Sequence, residues 1–240
     1  MFDFFKKEMP LPKIDIHSHL IPSIDDGAQD MEQSLFLIRE LQRLGYEKLV
    51  ITPHISDIFP NTHKIIIDGY EQLKNEIENQ KIDIQLEVAA EYYIDDRFFE
   101  LLEGGEMLSF SKENYLLFEF SYFTPPSDID NLIYEIQKGG YQPVLAHPER
   151  YCYWHEDLRQ YELLKEMGIL FQINLNSIVG YYPTGVKRTV EQLIINGMVD
   201  FLGSDTHHQK HLNRLKEVSK NTLYKKVFKY NIILNNRLSF

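Results

Sequence analysis

The stretch KIDIHSHLIPSIDDGA (residues 13–28) ends an apolar run on His17 and His19 and then adds the acidic pair Asp25 and Asp26. Imidazoles and carboxylates gathered at a strand end are a metal-ligand pattern, although an acidic pair before a glycine is also ordinary turn chemistry. The same residue types recur after later apolar runs. His54 follows in ITPH, Glu91 closes VAAE, Glu119 sits inside LLFEF, His147 ends VLAH, and Asp205 and His207 fall in GSDTH. One histidine after a strand is commonplace, and a carboxylate in an apolar run, such as Glu119, needs a partner. Separate explanations at six strand ends are harder to sustain than one shared metal site. That site would draw on His17, His19, Asp26, His54, Glu91, Glu119, His147, Asp205 and His207. Imidazole and carboxylate without thiolate suit manganese, zinc or iron and do not suit a structural zinc site built on cysteine. The set is too large for one ion. Three divalent ions fit it better, with Glu91 as a bridge, and would leave the site net positive against its four carboxylates. An anionic substrate such as a phosphate ester would be favoured there.

Elements spread over most of the chain must bring these residues together. Apolar, β-branched runs at 13–17, 48–52, 84–90, 115–120, 142–146, 169–175 and 199–204 predict seven strands. Amphipathic patterns at 30–44, 67–80, about 96–103, 128–138, 156–167 and 187–196 predict helices between them, with Gly45, Gly140, Gly168 and Gly197 placed to end several of these. Strand–helix alternation of this length predicts an α/β fold whose parallel sheet is closed or nearly closed into a barrel. The strands' C-terminal ends then meet on one face, where barrel enzymes carry their sites. No Gly-x-Gly-x-x-Gly follows the first strand, which counts against a dinucleotide fold.

Composition narrows the class further. The 240 residues are 43% hydrophobic, enough for one barrel-sized domain over 1–240, with 1–12 as an N-terminal extension and 210–240 as a helical C-terminal segment. No apolar stretch reaches the roughly 18 residues of a membrane span. The N-terminal MFDFFKKEMP lacks the features of a signal peptide. Direct membrane insertion is therefore not expected. A net charge of −11 argues against nucleic-acid binding through a general basic surface. Cys152 is the only cysteine, so no intrachain disulfide can form, which fits a reducing, cytoplasmic compartment. Nor is Cys152 set up as a phosphatase nucleophile. A phosphate-cradling Cys-x5-Arg loop needs arginine at position 158, which is leucine, and Arg159 comes one residue late.

The H-x-H start, T-P-H, A-A-E-Y-Y, F-E-F-S, A-H-P-E-R-Y and S-D-x-H resemble the polymerase and histidinol phosphatase (PHP) superfamily. More closely, they resemble its bacterial protein-tyrosine phosphatases, which are encoded with capsule and exopolysaccharide genes. The resemblance spans about residues 13–210. It implies a PHP fold, a distorted (β/α)7 TIM-like barrel of parallel strands, and a trinuclear centre, usually of manganese, with iron and zinc as alternatives. His17, His19, Glu91 and Asp205 would hold one ion, Glu91, Glu119 and His147 a second, and Asp26, His54 and His207 the third. Arg150, Asp205 and His207 would be catalytic, with a hydroxide bridging two ions attacking phosphorus in line. Arg150, through its planar fork, would also bind the substrate phosphate.

The implied substrate is phosphotyrosine on an autophosphorylating tyrosine kinase of polysaccharide export. A phenol leaves with a pKa near ~10 and needs less help than an alkoxide. Tyr92, Tyr93, Tyr122, Tyr151, Tyr153 and Trp154 flank the ligands. Of these, Tyr92 and Tyr151 are, with Arg150, the expected substrate contacts, and packing is the competing explanation. Departures from the family pattern fall at His208, which doubles the last motif's histidine, and in loop 55–66, which brings His63 near His54. Three other readings share the ligands: a small-molecule phosphatase of the histidinol phosphate type, a metal-dependent nuclease or phosphodiesterase, and a metal-loaded regulatory protein without turnover. For Arg150 the competing role is a structural salt bridge with Glu149 or Glu156.

Overall fold

The computed structural model describes residues 8–105, 107–155 and 157–240. Residues 1–7 of the expected extension, and Glu156 as a partner for Arg150, lie outside the described residues. Among the described residues nine short strands form: β1 (Ile14–Asp15), β2 (Lys48–Ile51), β3 (His54–Ile55), β4 (Gln85–Val88), β5 (Glu91–Tyr93), β6 (Tyr115–Glu119), β7 (Gln142–Ala146), β8 (Leu170–Asn174) and β9 (Phe201–Gly203). All pairings between these strands are parallel, in two sheets of order β1-β2-β4 and β3-β5-β6-β7-β8-β9.

The strands expected at 48–52 and 84–90 form as β2 and β4, and each run continues past its expected end, after a break at Thr52–Pro53 and at Ala89–Ala90, into a second short strand, β3 and β5. Pro53 has no N–H to give to a ladder. The two broken runs still lie side by side, because the Ala89 N–H donates to Ile51 O and the Glu91 N–H to Pro53 O. Taken as seven runs, chain neighbours are therefore spatial neighbours. The last run meets the first at a parallel bridge between Ser18 and Thr206, where the Asp205 N–H donates to His17 O and the His19 N–H to Thr206 O. Hydrogen bonding is thus split between two sheets and this bridge, where a closed barrel would have one continuous ladder.

The helices are α1 (Met31–Arg43), α2 (His63–Asn79), α3 (Asp96–Gly104), α4 (Ile129–Lys138), α5 (Leu158–Glu166), α6 (Leu175–Ile178), α7 (Thr184–Ile195), α8 (Gln209–Leu215) and α9 (Thr222–Tyr230). Asp30, Thr62, Asp95 and Asp157 cap α1, α2, α3 and α5, each accepting a backbone N–H with its side chain. A cap of this kind is worth about 1 kcal/mol. The Thr62 cap explains why α2 begins four residues before its apolar periodicity does. Gly45, Gly140, Gly168 and Gly197 all sit just past helix ends with positive φ. The short α6 begins at Leu175, the last residue of the strand expected at 169–175.

Ile16, Val50, Ala89, Leu117, Val144, Ala146 and Phe201 form a buried cluster with Phe110. Burying such side chains contributes about 1.5–3 kcal/mol for each large one. Leu234, Leu238 and Phe240 of the C-terminal segment pack on this cluster. Asn235 is fully buried there, accepting the Leu202 N–H and donating to Ile14 O and Leu202 O. The chain end therefore covers the side where β1 begins. The opposite side, where the strands end, stays free for chemistry.

Candidate metal centre

The structure brings all nine candidate ligands together at the strands' C-terminal ends. They fall into four overlapping groups in which the ligand atoms lie within 4.8 Å of one another: His19, Asp26, His54 and His207; His17, His19 and Asp205; His17, Glu91 and His147; His54, Glu91 and Glu119. Glu91 lies between several imidazoles. Its Oε2 is 3.1 Å from His17 Nε2, 3.1 Å from His54 Nδ1 and 3.4 Å from His19 Nε2, and its Oε1 is 3.0 Å from His147 Nε2. Asp205 Oδ1 lies 3.6 Å from both His17 Nε2 and His19 Nε2 and 3.3 Å from His207 Nδ1. Asp26 Oδ1 lies 3.3 Å from His207 Nε2 and 3.5 Å from His54 Nε2. Glu119 Oε1 is 3.2 Å from His54 Nδ1, and its Oε2 is 3.7 Å from His147 Nε2. This grouping differs in detail from the ligand sets implied by resemblance, since His19 also reaches the Asp26 group and Glu119 also reaches His54.

These spacings suit shared cations. With metal–ligand distances of about 2.0–2.2 Å, donors at right angles on one ion lie about 3 Å apart, and donors at a tetrahedral angle about 3.4 Å apart. Glu91 Oε2 is fully buried and receives no hydrogen bond, as does His147 Nδ1. A buried carboxylate oxygen ringed by imidazole nitrogens without a donor is costly, and a cation among them relieves that cost. The donor set therefore fits hard or borderline divalent ions.

Neighbouring groups fix which imidazole nitrogen is free. His19 Nδ1 donates to Asp25 Oδ2 at 2.9 Å, His17 Nδ1 to Gln172 Oε1 at 2.7 Å and His207 Nδ1 to the Asp205 carbonyl at 3.0 Å. Each bond leaves Nε2 with its lone pair aimed into the cluster. Asp25, which a turn would equally explain, is thus the carboxylate that orients His19, and it also accepts the His54 and Gly27 N–H groups. Gln172 donates on to Asn174 Oδ1, and Asn174 Nδ2 holds Asp205 Oδ2 at 2.6 Å.

Two glycines make room. A Cβ on Gly203 would lie 2.8 Å from His17 Cβ and 2.5 Å from Gln172 Nε2, and one on Gly27 would lie 2.3 Å from His19 O. His147 (φ 34°) and Asp205 (φ 49°) both adopt left-handed backbone. This is unfavourable for residues with a Cβ, by about 1–3 kcal/mol, and is found where function over-determines geometry.

Charge in the cluster is strongly coupled. Burial disfavours a charged His54, but Glu91 and Glu119 outweigh it and push its pKa up to about 9. His17 and His19 are raised in the same way, against burial, by Glu91 with Asp205 and by Asp25 with Glu91. Burial likewise works against the ionised forms of Asp205 and Asp26, yet the surrounding histidines hold both well below the usual carboxylate range. The site therefore holds positive charge, as protons or as metal, far more firmly than water would.

A cavity opens above the cluster, lined among others by His54, Glu119, His147 and Asp205, with Arg150 and Tyr182 along its wall. Arg150 leaves a single 3-10 turn (Pro148–Arg150) directly after His147. Its Nη1 donates to Asp205 Oδ2 at 3.1 Å. Its guanidinium lies between the rings of Tyr122, 4.5 Å away, and Tyr182, 4.8 Å away. Cation–π contacts of this kind hold a guanidinium flat and leave its edge free. Tyr182 had no motif to reveal it. Tyr122 also donates to Glu119 Oε2 at 3.1 Å.

The two expected substrate tyrosines lie elsewhere. Tyr92 is buried against Phe98 with its hydroxyl accepting the Leu108 N–H. Tyr151 is buried with its hydroxyl donating to Ala146 O and accepting the Phe120 N–H. Strand and turn geometry directs both into the core, so Tyr93, Tyr122 and Tyr182 replace them at the cavity. Tyr153 donates to Ser121 O, and Trp154 is buried in the core. His63 is exposed at the start of α2, while His208 and His211 line the cavity. Cys152 is exposed, with its thiol on Tyr122 O at 3.4 Å. Glu149 turns away from Arg150 and accepts the Asn174 N–H and the Ser177 hydroxyl.

Residues 13–235 match the family described as Capsular polysaccharide synthesis, CpsB/CapC. The putative tyrosine-protein phosphatase CapC of Staphylococcus aureus is 30% identical over 198 residues, 81% of this chain and 76% of that protein. Tyrosine-protein phosphatase YwqE of Bacillus subtilis is 30% identical over 201 residues, 83% and 79% of the two chains. A crystal structure reported for YwqE and for CpsB of Streptococcus pneumoniae, described as unique metal-dependent tyrosine phosphatases, matches with a TM-score of 0.81 and 27% identity over 95% of each chain. Histidinol phosphate phosphatase of Lactococcus lactis, with zinc, L-histidinol and phosphate, shares the fold at TM-score 0.57 and 14% identity, over 92% of this chain and 95% of that one.

Proposed function

This chain belongs to the CpsB/CapC family of capsular polysaccharide synthesis, and on that premise we propose that it is a metal-dependent protein-tyrosine phosphatase. Its substrate is phosphotyrosine on a tyrosine autokinase of polysaccharide export, met in the cytoplasm by a single PHP-type domain. Relatives across four-fifths of the chain are named as tyrosine-protein phosphatases, which supports the activity. The observation that carries the reading is a partly free guanidinium, Arg150, held beside nine converging ligands.

His17, His19, Asp26, His54, Glu91, Glu119, His147, Asp205 and His207 would hold three divalent ions; the donor set suits manganese, iron or zinc, and the family resemblance points to manganese among them. When bound, the ions supply charge that polarises a phosphoryl group and acidifies water. The chain's own residues do the rest. Asp205 and the two tyrosine rings fix Arg150 so that its remaining N–H groups face the non-bridging oxygens of a phosphate. Tyr93 and Tyr122 wall the cavity where an aromatic leaving group would lie. Gln172, Asn174 and Asp25 keep the ligands in register.

The test compares a phosphotyrosyl peptide, histidinol phosphate and single-stranded DNA as substrates with manganese. The peptide is expected to be turned over with the highest kcat/KM. Faster hydrolysis of histidinol phosphate or of DNA overturns the reading.

A further inference from the structure

The two most exposed large hydrophobic side chains among the described residues are Phe123, 89% exposed, and Ile58, 82% exposed, and the next is Ile232 at 66%. Both Phe123 and Ile58 line the mouth of the cavity above the ligand cluster. They come from neighbouring parts of the rim. Ile58 follows β3, Tyr93 ends β5 and Phe123 follows β6, and these three strands are consecutive in the sheet.

Neither side chain hangs on slack chain. The Ser56 N–H donates to Phe59 O and the Phe59 N–H to Ser56 Oγ, so Ile58 is held at the tip of a closed turn. That turn is tied to the next loop by the Asp57 N–H on Asp95 Oδ2. Phe123 is held by its own N–H and that of Thr124, both on Ser121 Oγ. Presenting bulky apolar side chains to water from ordered turns is unfavourable unless something covers them. Arg150, Tyr182 and His208 stand on the part of the rim that follows β7, β8 and β9. The cation of the mouth thus stands on one part of the rim and the two exposed apolar side chains on another, where Asp57 and Asp95 also line the cavity beside them.

Resting on the phosphatase reading above, we propose that Ile58 and Phe123 form a peptide-binding lip that holds apolar residues flanking the phosphotyrosine of a protein substrate. A phosphate seated on the ligand cluster leaves its own tyrosine's backbone at the cavity mouth. The side chains next to it in an extended chain then face the rim. A small aryl phosphate ends below the lip and cannot use it. The lip therefore acts on selection of polypeptide substrates and leaves the chemistry at the cavity floor unchanged.

The test uses the manganese-loaded full chain, its Ile58→Ser/Phe123→Ser double variant and an Ile58→Leu/Phe123→Leu control. Substrates are one phosphotyrosyl peptide with leucines beside the phosphotyrosine, the same peptide with serines there, and p-nitrophenyl phosphate. The unaltered protein should prefer the leucine peptide by about five- to thirtyfold, mostly in KM, the range expected for partly burying one or two aliphatic side chains on an open rim. The double serine variant should lose that preference while its kcat/KM on p-nitrophenyl phosphate stays within twofold, and the leucine control should keep it. Equal use of both peptides by the unaltered protein, or an undiminished preference in the serine variant, overturns the proposal. So does a fall on p-nitrophenyl phosphate in step with the leucine peptide. A dimer in sedimentation that the serine variant breaks also overturns it, by assigning the lip to a second copy of the chain. Failure of the unaltered protein on all three substrates refutes the phosphatase reading itself.

Discussion

Replacing Arg150 with alanine removes a side chain that is 24% exposed, bonded to Asp205 and enclosed by two tyrosine rings. A charge-assisted donor in so partly desolvated a site is worth about 2–4 kcal/mol to a developing phosphoryl transition state. At 25 °C that is a loss of about 30- to 900-fold in kcat/KM. The structure also assigns Arg150 a second contact, to a candidate ligand, so metal affinity should move as well. Asp205 keeps the Asn174 amide at 2.6 Å, and the weakening should stay at the low end of the range for such support contacts, about tenfold. The assay is therefore steady-state hydrolysis of a phosphotyrosyl peptide at saturating manganese, with metal content measured on the same sample. Arg150→Lys should recover only part of the loss, because an ammonium cannot reproduce the planar fork or the ring sandwich. The opposing idea is a purely structural ion pair. The Glu149 version of it conflicts with the geometry, since Arg150 makes its ion pair with Asp205, whereas the Glu149 carboxylate is fully buried and takes the Asn174 N–H and Ser177 hydroxyl on Oε1. An alanine variant that keeps more than a third of the activity at saturating metal refutes the phosphate-binding role. A melting temperature that falls in step with activity across the Ala and Lys variants refutes it too.

Stripping metal with a chelator should abolish hydrolysis, and manganese should restore it. Metal at 100 times its Kd should also raise the melting temperature by about 5–10 °C, from about 2.7 kcal/mol of linkage in a chain of this length, and full activity in protein shown metal-free by elemental analysis would remove the mechanism. Cys152→Ser should change kcat/KM less than twofold, since the thiol is exposed and bonds only a carbonyl; a loss of orders of magnitude with metal content intact would mean the wrong nucleophile. Gly203→Ala should weaken metal binding about 10- to 100-fold and cost about 1–3 kcal/mol of stability, because the new methyl group lies 2.8 Å from His17 Cβ, on the root of the ligand where no rotamer gives relief. Unchanged metal titration and melting in that variant would contradict the packing argument.

The candidate ligands were legible because a parallel arrangement of strands sends every strand end to one side, so residue type and position after an apolar run were enough to select them. Strand breaks were not legible at that level. The run read as KLVIT (48–52) is followed beyond Pro53, which has no N–H for a ladder, by the separate strand β3, which no apolar run announces. Side-chain direction was also beyond the sequence pattern. Tyr92 and Tyr93 are adjacent, and the pleat sends one to the core and the other to the cavity. Tyr151 follows Arg150 and yet points into packing, where its hydroxyl bridges Ala146 and Phe120. The supporting polar groups were hidden for a different reason. Gln172 and Asn174 lie inside an apolar strand with no motif of their own, and their role exists only once β8 lies between β7 and β9.

Several local irregularities of the chain fall at the ligand set, although left-handed backbone at non-glycine residues also occurs in loops elsewhere, at Ser23, Lys81, Ser111, Asn114 and Asp128. Left-handed backbone at His147 and Asp205, the interruptions after β2 and β4, and glycines whose Cβ would collide with His17 and His19 all fall within or beside the ligand set. Regular strands would spare these costs but would also spread the ligands along a pleated surface, with alternate side chains on opposite faces. Two consecutive ligand-bearing runs need their carboxylate and imidazole heads within about 3–3.5 Å of several neighbours at once, the spacing a shared cation imposes. The breaks allow Glu91 and His54 to lie opposite each other in register at the start of new short strands, where β3 and β5 pair His54 with Glu91. The positive φ at His147, one residue past β7, and at Asp205, two past β9, turns the chain sharply just beyond each strand, so that the ligand and the group that follows it, Arg150 in one case and His207 in the other, both reach the cavity. At the ligand set these departures from regularity serve the convergence of charge, and the packed interior and covered opposite end supply the stability that tolerates them.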